Sequence, residues 1–171
     1  MWYVIQVKTG DEKGIARKLQ ELGIQAVAPV EDRVIRTSGK WTSKEYVIFT
    51  GYVFLQMTYN AENYYRVKGT PGVIRFLGDN QSPSTLSYLE AEWIMALAGK
   101  DNEPLKPTVV RAAEDGTLQI VSGVLKKFES NITKIDKRSR KAAFEITICN
   151  EKKDVQLSIQ MEEEKEQEVA E

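Results

Sequence analysis

The 171-residue chain contains no histidine and a single cysteine, Cys149. Without histidine it lacks the most usual general base and the commonest zinc ligand. A Ser-His or Cys-His nucleophile is therefore excluded. One cysteine excludes an internal disulfide and any cysteine-rich metal centre. No run of 18 apolar residues is present, which argues against a membrane-spanning helix. The first residues, Met1-Trp2-Tyr3-Val4-Ile5-Gln6, form neither a basic leader nor a small-residue cleavage site. A cytoplasmic location is the expectation. No paired carboxylates at fixed spacing and no glycine-rich phosphate loop stand out. We therefore expect no enzyme activity, no cofactor and no metal.

What is present is ordinary in amount and uneven in place. Hydrophobic residues make up 42%, charged residues 29%, and the net charge is −1. The last ten residues hold six Glu and one Lys, so 162–171 reads as an acidic, disordered tail. Lys126, Lys127, Lys134, Lys137, Arg138, Arg140 and Lys141 face only Glu129 and Asp136, a stretch of net +5. Such a stretch suits a phosphate backbone. A solvated charged face is the other reading of the same residues.

The apolar pattern gives the elements. Trp2 to Val7 is β-branched and aromatic, a strand. Ile15, Leu19 and Leu22 recur at helical spacing, and Gly23 closes that helix. Ile24 to Ala28 is a short strand. Val30 to Phe49 reads as two strands around a tip at Ser38-Gly39-Lys40. Gly51 to Met57 is a strand. Asn60 caps a helix carrying Tyr64 and Val67, and Val73 to Leu77 is a strand. Ser84 to Ala98 is helical, with Ser87 and Glu90 at capping-box spacing and Leu86, Leu89, Trp93 and Leu97 on one face. This order is a split βαβ, ferredoxin-like sheet within an α+β protein. The proline-bearing segment 100–108 reads as a linker between a domain at 1–99 and another at 109–161. In the second, Leu118 to Val121, Val124 to Phe128, Asn131 to Ile135, Ala143 to Cys149 and Val155 to Ile159 read as five strands of a small barrel.

Strand alternation places Val53, Leu55 and Met57 on one face and Tyr52 and Phe54 on the other. With helices under the aliphatic set, Tyr52 and Phe54 are expected on a bare face that wants a partner. The alternative is that the third helix or the hairpin covers them. Ile74 and Phe76 form a similar pair of undetermined side.

Three blocks, Trp2-Tyr3-Val4, Phe49-Thr50-Gly51-Tyr52-Val53-Phe54-Leu55 and Thr70-Pro71-Gly72-Val73-Ile74-Arg75-Phe76-Leu77-Gly78, resemble the amino-terminal (NGN) domain of NusG-type transcription factors. Leu118 to Gly123, Phe128 and the segment from Ile146 to Leu157 look like the family's SH3-like KOW barrel. The resemblance implies a monomeric, non-enzymatic factor that binds the clamp helices of the largest RNA polymerase subunit, here through Gln6, Tyr52, Phe54 and Phe76. It implies that the hairpin cations Arg33, Arg36, Lys40 and Lys44 lie near upstream DNA, although an ordinary charged hairpin tip reads the same way. Thr50 replaces a family proline, Ser130 a glycine, and Cys149-Asn150-Glu151 an aromatic-Gly-basic segment. Together with the basic stretch, these departures look most like the specialised LoaP/UpxY paralogues, antiterminators whose KOW domain is associated with a nascent RNA hairpin. A housekeeping NusG factor and a ribosome-associated KOW protein are the competing expectations.

Overall fold

The computed structural model describes residues 1–79 and 81–163, without the side chains of Val34, Arg36, Thr37, Trp41 and Asp101. It has the α+β class expected. The chain forms two compact units, one of Met1–Pro29, Phe49–Glu103 and Thr147–Glu151, the other of Val30–Ile48, Pro104–Ile146 and the residues from Lys152 onward.

The first unit is built on β1 (Trp2–Val7), α1 (Glu12–Glu21) and β2 (Gln25–Val27). The hairpin strands β3 (Val30–Thr37) and β4 (Lys40–Val47) follow in the chain and belong to the second unit. The first unit resumes with β5 (Tyr52–Gln56), α2 (Ala61–Lys68), β6 (Val73–Phe76) and α3 (Tyr88–Ala98). Its sheet runs β2-β5-β1-β6, all neighbours antiparallel.

Register sorts the side chains. Tyr3, Ile5, Val53, Leu55 and Phe76 form one core with Ile15, Ala16 and Leu19 of α1 and Val67 of α2. Val4, Phe54 and Val27 are opposed across three strands and so share the other face. The alternation expected for β5 therefore holds.

The expected exposure does not. Phe54 is 1% exposed, and Val4 and Val27 are buried with it. The Phe49 ring meets Phe54 edge-on at 5.2 Å. Around Phe54 this face of the sheet is covered too, while Gln6 and Tyr52 are half-buried and Arg75 is exposed. Alternation tells which side a residue points to, not whether that side is bare. Phe76 is likewise a core residue, 7% exposed, stacked on Tyr64 at 5.5 Å with its edge contacts on Tyr3 and Tyr59.

Helix α3 is set one residue off the expected phase. Leu86, Glu90, Ile94 and Leu97 are buried, whereas Leu89 is 52% exposed. The capping box fixes the phase. Ser87 Oγ accepts from the Glu90 N–H at 3.2 Å, and Glu90 Oε2 accepts from the Ser87 N–H at 3.3 Å. Glu90 Oε1 also accepts the Cys149 N–H at 2.9 Å, so a carboxylate takes an inward position that periodicity assigns to an apolar side chain.

Glu12, in the first turn of α1, is 2% exposed. Its Oε1 accepts from Gly10 N at 3.0 Å and Gly51 N at 2.9 Å, and Oε2 accepts from Gly10 N at 3.1 Å. Gly51 has φ +84° and its carbonyl accepts from Val7 N. The turn before Tyr52 is thus tied to both β1 and α1.

In the second unit, the β3–β4 ladder runs unbroken from Val30↔Val47 to Thr37↔Lys40. It closes through Ser38 and Gly39, both at positive φ, the backbone of a two-residue hairpin turn. A five-stranded curled sheet follows: β7 (Thr108–Ala112), β8 (Leu118–Ser122), β9 (Ile132–Asp136), β10 (Lys141–Ile148) and β11 (Glu151–Met161), in the order β8-β7-β11-β10-β9. It is in keeping with a KOW barrel. Phe144, Ile146 and Ile148 point inward as expected.

Two expectations differ. Thr108–Ala112 is a strand the sequence reading did not mark, and Val124–Asn131 is a 3-10 helix rather than a strand. Leu125 and Phe128 are both buried, three residues apart, which is the repeat of a 3-10 turn and not of a strand. Phe128 stacks on Phe144 at 4.6 Å. Gly123 enters this run at φ +117°, where a Cβ would lie 2.7 Å from Thr108 Oγ1. Of the acidic tail, Glu162 pairs in a two-point contact with Arg111 at 2.6 and 2.8 Å. Residues 164–171 lie outside the described ones. No helix among the described residues is long and apolar enough to cross a membrane.

Two consequences for stability follow from the burial. Phe54→Ala removes a fully packed ring and costs about 3–5 kcal/mol, whereas Tyr52→Ala costs under about 1.5 kcal/mol, as read from urea unfolding midpoints. Glu12→Ala leaves the Gly10 and Gly51 donors without their carboxylate and costs about 3 kcal/mol in the same assay.

Candidate functional site

The first candidate surface is a row across three strands. Tyr52 on β5 is opposite Gln6 on β1, and Gln6 is opposite Arg75 on β6. Arg75 Nε donates to Gln6 Oε1 at 3.0 Å. Gln6 and Tyr52 are half-buried and Arg75 is exposed. Of the four residues expected here, Gln6 and Tyr52 reach this surface, while Phe54 and Phe76 do not. Arg75 was missed, although its place opposite Gln6 follows from pairing β6 with β1. The row joins an aromatic ring, an amide and a guanidinium. That combination buries ring area against apolar side chains and meets a carboxylate at its rim.

The second candidate is the β9–β10 turn. Asp136 Oδ1 accepts from the N–H groups of Arg138 at 2.9 Å and Ser139 at 3.1 Å. Arg140 sits at φ +56° and its guanidinium donates to the Lys137 carbonyl. Lys137 and Arg138 are exposed, and Arg140 and Lys141 are half-buried. This one turn gathers Lys137, Arg138 and Arg140, with Lys141 at the first position of β10. Lys134 is exposed on β9, and Lys126 and Lys127 are exposed on the 3-10 run. The seven cations thus lie on four segments, and only three share the turn. The Ser139 backbone N–H, then its hydroxyl, then the Arg138 N–H and the Lys134 charge hold the Asp136 carboxyl below its ordinary value.

The third is the β3–β4 hairpin. Arg33 is paired with Lys44 across the ladder, while Arg36 is paired with Trp41 one rung out of phase. Arg33 lies 4.3 Å over the Tyr46 ring and pairs with Glu31, and Lys44 Nζ is 5.5 Å from the same ring. Glu31 is 3% exposed and accepts the Ser158 N–H at 2.9 Å. The Arg36 side chain is outside the described residues. Among the described residues, no group of three His, Cys, Asp or Glu side chains could hold a metal ion.

Residues 1–95 match the family model described as NusG, transcription termination factor. A transcription termination/antitermination protein NusG of Campylobacter jejuni is 28% identical over 145 residues, covering 79% of this chain and 80% of that protein. The protein of the same name from Thermus thermophilus is 27% identical, covering 91% and 94%. The solved Thermotoga maritima NusG is similar in fold, with a TM-score of 0.51 at 24% identity and coverage of 92% and 93%.

Asp136 gives the β9–β10 turn a pH dependence. Its carboxyl is depressed in the folded chain, so its stabilisation is present above the unfolded value near pH 4 and is lost as pH falls below it. We expect the Arg138 and Ser139 amide resonances to move together on acidification below about pH 4. In Asp136→Asn that step should be absent.

Proposed function

Because the chain belongs to the NusG family of transcription termination/antitermination factors, we propose that residues 1–99 bind the clamp helices of the largest RNA polymerase subunit through Tyr52, Gln6 and Arg75. Residues 109–161, we propose, contact a nascent RNA hairpin, and the factor promotes processive antitermination. The carrying observation is the Tyr52–Gln6–Arg75 row. It sets a half-buried ring and an exposed guanidinium on either side of Gln6 on one sheet, so little side-chain freedom is lost on docking. Phe54 and Phe76 support it from inside, as packed rings whose loss acts through the sheet.

The β9–β10 turn supports the RNA contact. Three cations in one turn, with Lys141 at the start of β10, present charge to phosphates close together. The hairpin β3–β4 takes the side of upstream DNA. Housekeeping NusG function, with pausing and termination, is the second reading, and the family relationship supports it equally. The specialised reading is favoured by Cys149-Asn150, both at positive φ, where the family carries an aromatic side chain used toward the termination factor Rho or the ribosome.

Transcription in vitro through a terminator, with and without a leader hairpin, tests the proposal. Read-through that rises only with the hairpin supports it, and enhanced pausing or Rho-dependent termination supports the housekeeping reading. Tyr52→Ala with Arg75→Glu should weaken co-elution with polymerase at least tenfold, about 1.4 kcal/mol. Charge reversal of Lys137, Arg138 and Lys141 should remove salt-sensitive hairpin binding and leave polymerase binding in place.

A further inference from the structure

The end of β11 delivers an acidic segment to the cationic β9–β10 turn. Strands β10 and β11 are neighbours in the sheet, joined only by Cys149 and Asn150. A two-residue connection of this kind makes them antiparallel. The Ile159 N–H donates to the Arg140 carbonyl at 3.0 Å, and Arg140 is the residue before β10 begins. Beyond Ile159, therefore, β11 overruns the start of β10 and passes the turn. Glu162 is then held on Arg111 by contacts of 2.6 and 2.8 Å, and Glu163 is exposed. From position 163 to 171 the sequence carries five Glu and one Lys, a net −4. Lys137, Arg138, Arg140 and Lys141 carry +4, and Asp136 beside them offsets one of these. The turn, the end of β11 and the acidic segment all belong to the second unit.

We propose that residues 163–171 are an internal competitor for this turn: their carboxylates lie on Lys137, Arg138 and Lys141 in the free chain, and an RNA phosphate backbone has to displace them. The proposal rests on the reading above that the turn contacts RNA, and adds what occupies the turn until RNA arrives. Arg140 takes less part, because its guanidinium already donates to the Lys137 carbonyl. Reach is not limiting. Nine residues span up to about 30 Å, and Lys137 to Lys141 at most about 14 Å. Anchoring at Glu162 makes the encounter intramolecular, with an effective concentration on the order of mM. Each exposed ion pair contributes little by itself, so the docked segment exchanges readily. A nucleic acid that engages several phosphates at once also releases condensed counterions, which a peptide with four net charges cannot match. The turn is thereby closed to ligands that offer a single charge and open to a polyphosphate.

The first test places a nitroxide on Val169→Cys in a full chain carrying Cys149→Ser, and reads paramagnetic broadening of backbone amides. At about 0.1 M salt the Lys137, Arg138 and Ser139 amides should lose about half their intensity. At about 1 M they should recover it, because the screening length falls from about 10 Å to about 3 Å. No broadening at these amides, or broadening at Lys126 and Lys127 instead, would overturn the proposal. The second test is fluorescence anisotropy with a labelled RNA hairpin, comparing the full chain with one ending at Glu162, which keeps the Arg111 pair. The shortened chain should bind about fivefold more tightly at about 0.1 M salt. With Lys137→Gln and Arg138→Gln in both chains, shortening should gain less than about twofold, since the segment has lost its seat. A gain that persists there in full is a general effect of net charge and sinks the idea. If neither chain binds the hairpin while the broadening is present, the contact stands and the RNA reading fails. If both chains bind it equally, the competitor fails and the RNA reading stands.

Discussion

Glu12 is an acidic side chain with almost no access to water, and the N–H groups of Gly10 and Gly51 are what make that position tolerable. Burying a carboxylate without such donors is strongly unfavourable. With them, one side chain at the start of α1 determines where β5 begins. Gly51 is the residue before Tyr52, and its own carbonyl is bound by Val7 of β1. The register of β5 against β1, and therefore the face on which each β5 side chain emerges, follows from this anchor. A slip of one residue would exchange Phe54 with Val53 or Leu55 and turn both faces inside out.

That register has a consequence for recognition. The sheet buries Val53 and Leu55 on one side and Phe54 on the other, so no large ring on β5 is left to solvent at its centre. What is left open lies at the end of the strand, where Gln6 stands between Tyr52 and Arg75. This row at the strand ends is held firmly, because each of its residues is followed in the chain by a buried one. The strand that carries Tyr52 also carries three of the most buried side chains of the unit.

Much of this was legible in the sequence, and the failures are specific. Helix and strand order in the first ninety residues follows from periodicity, and the capping box at Ser87–Glu90 was visible from spacing alone. Phe54 was assigned to the correct face and the wrong environment, since no pattern within β5 reports what packs on it. Glu90 shows the same limit in α3. Its carboxylate turns inward because Cys149, fifty-nine positions later, supplies an N–H, and no local window contains that partner. Val124 to Phe128 failed differently. Val-Leu-Lys-Lys-Phe fits a period of two as well as three, and the choice was made by Phe144 across the barrel and by the steric closure at Gly123. Arg75 was within reach, since pairing β6 to β1 places it beside Gln6.

The two cationic surfaces share one construction, and it explains why composition alone could not locate them. In the β9–β10 turn, Asp136 accepts from the backbone of Arg138 and Ser139, so it orders the loop as well as balancing charge. In the hairpin, Glu31 is spent on Ser158 N and Arg33 from a buried position, leaving Lys44 and Lys40 outward on the same face. Counted in a window, each acid cancels a base. Placed in the fold, each also works as a fastener for backbone N–H groups while keeping its charge. The near-zero net charge of the whole chain is thus compatible with strong local positive fields, because electrostatic attraction over distances of about 10 Å depends on which charges reach the surface together.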